Sequence, residues 1–169
     1  MIIDSHTHIR EGNDDISAFL KGMDEAGVDM SIVSPIAPIT LGFHDNTYVA
    51  GLVRQYPDRI IGYCSVHPAD ANALDELRRS VEDYRLKGLK LHPPIQNFSM
   101  LDPRLGPIIE ACIGYDIPIL VHTGPVYSRE SRMVFSNSVD IDELAIQYPR
   151  AKFIIAHGHP FGIDPVMVA

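Results

Sequence analysis

The chain opens with residues 1–8, MIIDSHTH, in which an apolar run ends directly in two histidines. Residues two apart in an extended strand point to the same side, so the imidazoles of His6 and His8 can reach one ion. Neutral imidazole is a favoured ligand of zinc, with nitrogen–metal distances of about 2.0–2.1 Å. The stretch therefore predicts a first β-strand that ends in a pair of metal ligands. A dinucleotide-binding open sheet would carry a glycine-rich phosphate loop there instead.

Short apolar runs recur along the rest of the chain at steps of about 30 residues. They alternate with amphipathic segments of helical spacing, as expected for parallel strands joined by helices. A regular step of this length is typical of the (β/α)₈ TIM barrel, and a doubly wound open sheet is the alternative. The candidate strands cover residues 1–5, 30–34, 60–65, 88–91, 117–121 and 152–156.

The ends of the predicted helices carry signals of different clarity. Gly27 is expected to end the first helix and Gly88 the third, because glycine readily adopts the left-handed conformation that follows a helix. The start of the fourth helix stays open, because both Pro103 and Pro107 favour a position in a first helical turn.

Six strand–helix units account for all 169 residues. The expected fold class is therefore α/β, a (β/α)₈-type TIM barrel that is incomplete in this chain, with about six units. We expect one domain, residues 1–169, that lacks the two C-terminal units. Either the chain is a fragment, or the sheet stays open and its edge is covered. Because exposed strand edges promote association, we expect a homo-oligomer.

Composition excludes several classes of partner. The formal net charge is −8 and no cluster of Lys and Arg stands out, which argues against nucleic acid or an anionic membrane as a partner. No apolar stretch approaches the roughly 20 residues of a membrane span, and no basic, apolar leader precedes the first strand. We expect a soluble cytoplasmic protein. Cys64 and Cys112 lie in apolar runs and are expected to be buried, reduced thiols.

The histidines follow the predicted strands. All strand C-termini of a parallel barrel share one face, and that face holds the active site, so seven of the eight histidines should converge there. His122 and His157 each end a buried apolar strand, which is typical of ligands at a barrel mouth, although a hydrogen-bonded core histidine is the alternative. His44 lies in a loop near the mouth. The seven are His6, His8, His67, His92, His122, His157 and His159.

Lys90 and His92 end the fourth strand and point to one side, while the leucines between them pack toward the helices. An inward lysine is costly unless it is paired or reacting, so Lys90 is expected to contact a substrate carboxylate. A carbamylated bridge between two metals and a lysine that reaches solvent are the alternatives. Asp4 shares the side of His6 and either orients a histidine or serves as a structural carboxylate. For His67 a loop-ordering role is favoured, and for His159 solvation.

Four segments together resemble the signature of the amidohydrolase-related family of metal-dependent TIM-barrel hydrolases (amidohydrolase 2 type), which includes non-oxidative decarboxylases. The resemblance implies that His6, His8 and His122 are the metal ligands and that His157 acts on the bound water or as acid and base. The family also carries an aspartate at the end of strand eight; Asp164 follows strand six and does not replace it. The segments are DSHTH (4–8), GLKLHP (88–93), LVHTG (120–124) and IAHG (155–158).

The expected activity is hydrolysis of a small, anionic substrate by water activated on a divalent metal ion, with zinc as the favoured ion. Lys90 and His92 would bind the anionic part of the substrate, and His157 would move the proton. Three alternatives stay open. One is a metal-dependent non-oxidative decarboxylase, one a catalytically incomplete metal-binding or assembly module, and one a phosphoesterase with two or three metals.

Overall fold

The computed structural model describes residues 1–12, 15–36, 42–126 and 128–157, in which strands and helices alternate. The strands are β1 (Ile3–Thr7), β2 (Met30–Val33), β3 (Ile60–Gly62), β4 (Cys64–Ser65), β5 (Leu89–Leu91), β6 (Ile119–His122) and β7 (Phe153–Ala156). The helices are α1 (Ile16–Ala26), α2 (Asn46–Gln55), α3 (Ala73–Glu82), α4 (Pro93–Gln96), α5 (Leu105–Gly114) and α6 (Val139–Gln147), with a 3₁₀ turn at Met133–Phe135.

Every pair of neighbouring strands among the described residues is parallel, and within each sheet the strands follow one another in chain order. The order is β1-β2-β3 in one sheet and β4-β5-β6-β7 in the next. A doubly wound sheet would instead reverse its strand order at a switch point. The sequential order is that of a (β/α) barrel, so the alternative of a doubly wound sheet is wrong.

Tyr63 joins the two sheets. The third predicted strand, residues 60–65, is one continuous segment that breaks at this residue into β3 and β4. The Tyr63 N–H donates to the Val33 carbonyl at 2.9 Å, whereas the Cys64 N–H donates to the Gly88 carbonyl at 2.8 Å. The segment thus pairs first with β2 and then with β5, and the seven strands occupy six consecutive strand positions.

Alternate residues of the strands face two different apolar clusters. Leu89, Leu91, Ile119 and Val121 belong to the large core that α2, α3, α5 and α6 cover. Leu120 instead packs on the inner side with Tyr63 and Ala156. Because side chains alternate across a strand, Lys90 and His122 take the inner side, as the sequence predicts for Lys90.

The two edge strands expose apolar side chains. Ile3 of β1 is 40% exposed, and Ile154 and Ile155 of β7 are 40% and 46% exposed. The carboxyl ends of these strands nevertheless approach each other, since the His6 and His157 rings lie 4.8 Å apart between centroids. The strands therefore curve around a common interior rather than forming a flat layer.

Two local expectations need revision. β1 extends through Thr7, so His6 lies within the strand rather than after it. Gly27 ends α1 in the left-handed conformation as predicted, but α3 ends at Glu82 and not at Gly88. A Cβ at Gly88 would lie 2.5 Å from the Tyr63 ring, so this glycine serves close packing rather than helix termination.

Helix α5 begins at Leu105, which places Pro107 in its first turn and Pro103 before it. Helix α4, directly after β5, was not expected from the apolar periodicity, because its four residues are too few to show a helical repeat. Within the described ranges, no helix has the length and apolar character that crossing a membrane requires.

Candidate metal centre

His6 and His8 bring their Nε2 atoms together at the carboxyl end of β1. The two atoms lie 3.0 Å apart, with the rings nearly perpendicular at 80°. Two nitrogens bound to one tetrahedral zinc at about 2.0–2.1 Å would lie about 3.3–3.4 Å apart. The pair is therefore spaced closely enough to share one ion.

A backbone carbonyl fixes the tautomer of His8. Its Nδ1 lies 2.7 Å from the carbonyl oxygen of Ser34, and the Ser34 hydroxyl is 3.4 Å away. Because a carbonyl oxygen only accepts, Nδ1 carries the proton and Nε2 presents its lone pair. This arrangement, with one ring nitrogen held by the backbone and the other free to ligate, is the usual one for metal-binding histidines.

Lys90 reaches the same point from the opposite side of the interior. Its side chain is fully buried, and Nζ lies 2.8 Å from His6 Nε2, which joins β5 to β1 across 84 residues of sequence. Burial lowers the pKa of Lys90 to about 7. In the described part of the chain no carboxylate forms an ion pair with this amine.

The two short contacts of His6 Nε2 cannot both be hydrogen bonds. With a proton, Nε2 donates to His8 but meets the Lys90 amine as a second donor. With a lone pair, it accepts from Lys90 but faces the lone pair of His8. A cation between the two Nε2 atoms would remove this conflict, so the donor set fits a metal ion.

His92 and His122 form a second, stacked pair. Leu91 pairs with Val121 in the sheet, which sets the two following rings side by side at 3.8 Å with an angle of 14°. Both residues are more than nine-tenths buried, and His92 Nδ1 and His122 Nε2 have no hydrogen-bond partner in the described structure. Buried polar atoms without partners are costly, so these nitrogens are available to a ligand.

His157 connects the two pairs. Its ring lies 4.8 Å from that of His6 and 4.7 Å from that of His122, measured between centroids. It directly follows β7 with φ of 69°, a left-handed conformation that a non-glycine residue rarely adopts and that is typical of functional sites.

All five imidazoles favour the neutral, metal-binding form. Burial, followed by the charge of Lys90, lowers the pKa of His6 and His122 to about 3 and that of His8 to about 4. The same two causes lower the pKa of His157. Burial and the neighbouring His122 lower the pKa of His92 to about 2. Protons therefore compete weakly with a metal ion at this site.

The convergence is close but incomplete. Among the described residues, no group of three or more His, Cys, Asp or Glu side chains is arranged to hold one ion. The Nε2 atoms of His6 and His8 lie 3.0 Å apart, whereas the ring of His157 contacts both the His6 ring and the His122 ring. A third ligand from His122 would therefore need a side-chain rearrangement at the mouth.

The other candidate residues have structural contacts. Asp4 accepts from the Thr7 hydroxyl at 2.6 Å and the Ser31 hydroxyl at 3.3 Å, which favours its structural role. His67 donates from Nε2 to the Gln96 carbonyl at 2.7 Å and accepts at Nδ1 from a backbone N–H, so it orders a loop. His44 stacks on a tyrosine of α2. His159 and Asp164 lie outside the described residues.

Gln96 is a contributor that sequence reasoning missed. Its side chain accepts from the backbone N–H of His92 at 2.6 Å and donates to the Val66 carbonyl at 2.9 Å, which ties the ends of β4 and β5 together. Gln96 lies four residues after His92, and two prolines follow that histidine directly. This spacing is the one signal in the sequence that could have indicated a short helix here.

Comparison with known proteins identifies the family and the fold. A family model described as amidohydrolase matches residues 3–161, and the chain belongs to this family. The family consists of metal-dependent enzymes that act on small molecules. The chain is an α/β protein of the TIM-barrel type, and its described residues form six of the strand positions.

Three solved structures illustrate the likeness. An uncharacterized TIM-barrel protein from Bordetella bronchiseptica has 22% identity and a TM-score of 0.76, over 87% of this chain and 53% of its own. 4-Oxalomesaconate hydratase from Rhodopseudomonas palustris has 24% identity and a TM-score of 0.63, over 85% of this chain and 48% of its own. 5-Carboxyvanillate decarboxylase from Novosphingobium aromaticivorans was solved as the D314N mutant with bound manganese. It has 21% identity and a TM-score of 0.62, over 82% of this chain and 48% of its own. The chain thus spans about half the length of these proteins, and the likeness concerns the fold.

Proposed function

We propose that this chain carries the histidine centre of a metal-dependent hydrolase that acts on a small, anionic substrate through metal-activated water. The observation that carries the proposal is the convergence of His6 Nε2 and His8 Nε2, 3.0 Å apart, with the His8 lone pair directed at the site by Ser34. The membership of the chain in a metal-dependent enzyme family supports it.

The proposed ligands are His6, His8 and His122, and the proposed ion is divalent. Zinc is favoured because a set of imidazole nitrogens suits it. Manganese is the second candidate, because it is the ion in the solved decarboxylase from Novosphingobium. When bound, such an ion polarises a carbonyl or carboxylate and lowers the pKa of water toward about 7.

The other histidines and Lys90 are proposed to handle the substrate. His157 lies against both His6 and His122 at the exposed side of the cluster, where it would accept a proton from water and return it to the leaving group. Lys90 and His92 would hold the anionic part of the substrate, since the interior offers that anion a buried amine and a ring nitrogen without a partner.

Non-oxidative decarboxylation is the second candidate. A structure with the same fold belongs to a protein named as a decarboxylase and contains manganese. The proposed metal ligands, His157 and Lys90 would serve that reaction as well. The third candidate is a catalytically incomplete metal-binding or assembly module without turnover.

Metal analysis of purified variants tests the site. We expect wild-type protein to bind one equivalent of zinc or manganese by mass spectrometry of the metal content, and His6→Ala and His122→Ala to lose it. His67→Ala is the matched control, because the nitrogens of His67 hold a loop. Unchanged metal content in both His6→Ala and His122→Ala would sink the proposal.

Product analysis then separates the candidates. The loaded protein is incubated with aryl esters, amides and carboxylated phenols, and released acid and carbon dioxide are measured. Acid release that needs both the metal and His157 supports a hydrolase, and carbon dioxide release supports the decarboxylase. Metal binding without any product supports the module.

Three further expectations remain predictions from the sequence. They are a single barrel domain over residues 1–169, a cytoplasmic location and assembly as a homo-oligomer. The apolar residues exposed along β1 and β7 support the last of these, and light scattering on the purified chain would measure it.

A further inference from the structure

Lys90 contacts His6 across the barrel interior, and the contact is made at Nε2, the His6 atom that would bind a metal ion. Nζ lies 2.8 Å from His6 Nε2, and the lysine is fully buried. An amine carries N–H groups in both its charged and its neutral form, so it can donate to this nitrogen in either form. In the tautomer that leaves His6 Nε2 unprotonated, this contact occupies the lone pair of that nitrogen in the protein without metal.

An imidazole nitrogen has one lone pair in the ring plane, which can point to an N–H group or to an ion but not to both. We propose that Lys90 competes with the metal ion for His6 Nε2, so that ion binding displaces the Lys90 amine toward the mouth. This inference rests on the proposed function, and the displaced amine is the group assigned above to the anionic part of the substrate.

The surroundings of Lys90 agree with this exchange. Its amine has no carboxylate ion-pair partner among the described residues, so its displacement would break no ion pair there. A divalent cation at His6 and His8 would also repel a protonated amine a few ångströms away. The displaced amine would then lie near the ion and could bind the anionic part of the substrate, so binding of the ion and binding of the anion would strengthen each other.

Zinc titration of three proteins tests the competition, with a chelating dye as the reporter. Lys90→Met removes the amine and keeps a long, flexible side chain that suits a buried position. Lys87→Met is the matched control, because Lys87 is exposed and three residues earlier in the same segment. We expect Lys90→Met to bind zinc about tenfold more tightly than wild type, equivalent to about 1.4 kcal/mol, and Lys87→Met to match wild type.

Equal or weaker zinc binding by a folded Lys90→Met would overturn the inference. If Lys90→Met does not fold, reductive methylation of the wild type gives a second readout by peptide mass spectrometry. We expect zinc to increase the labelling of Lys90 relative to Lys87, whereas protection of Lys90 by zinc overturns the inference. If none of the three proteins binds zinc or, in a parallel titration, manganese, the proposed function fails and the inference with it. If wild type binds zinc and Lys90→Met gains nothing, the inference alone fails.

Discussion

Replacing Asn46 with leucine is predicted to destabilise the junction between β4 and α2. The Asn46 side chain lies beside β4 like a short piece of strand: Oδ1 accepts from the Ser65 N–H at 2.8 Å, and Nδ2 donates to the Ser65 carbonyl at 3.0 Å. Nδ2 also donates to Glu76 of α3 at 2.6 Å. The residue is only 6% exposed, so water cannot easily replace these bonds.

The magnitude follows from the groups that lose a partner. A leucine removes both hydrogen bonds to the Ser65 backbone, and each buried polar group deprived of its bond costs about 1–3 kcal/mol, so the loss should be about 3 kcal/mol in total. With a urea dependence of about 2 kcal/mol per molar, the unfolding midpoint should fall by about 1.5 M.

Urea unfolding followed by circular dichroism measures this change. Gln55→Leu is the control, since Gln55 is an exposed residue at the end of the same helix. The control should lie within about 0.5 kcal/mol of wild type, as is usual for surface substitutions. A loss below that same limit for Asn46→Leu would refute the assignment of these bonds as structural supports of the barrel wall.

Three other substitutions or reagents test the packing. Gly88→Ala should cost about 1–3 kcal/mol, because its Cβ would lie 2.5 Å from the Tyr63 ring; an unchanged melting temperature would contradict this. Gly51→Ala in α2 should raise stability by about 0.5–1 kcal/mol, since a Cβ there meets no atom within 4 Å; thermal unfolding measures the sign. Cys64 and Cys112 are buried, and burial raises the pKa of both thiols. Neither should react with a thiol reagent until the protein is unfolded, and rapid labelling of the native chain would show that this packing is wrong.

The strand order was predictable because it depends on a regular pattern. Apolar runs that recur about every 30 residues define parallel strands joined by helices, and the inward direction of Lys90 follows from strand alternation. The pairing of His6 with His8 was predictable in the same way, from two residues on one side of a strand. The buried, reduced state of the two cysteines followed from the apolar runs around them.

The remaining features depend on contacts between distant segments. The break at Tyr63 depends on where β2 and β5 offer their carbonyls, and the role of Gly88 depends on the ring that packs against it. No local pattern records that the Ser34 carbonyl sets the tautomer of His8. The stacking of the His92 ring on the His122 ring likewise results from the register of β5 and β6 rather than from spacing in the sequence.

A crystal structure of the zinc-soaked chain, with diffraction data recorded on both sides of the zinc absorption edge, tests the metal centre most directly. We predict a single strong anomalous peak within bonding distance of the Nε2 atoms of His6 and His8, with His122 turned toward it and the Lys90 amine displaced. An anomalous map without a peak at these imidazoles, from a protein shown to be folded and in excess zinc, would contradict the account.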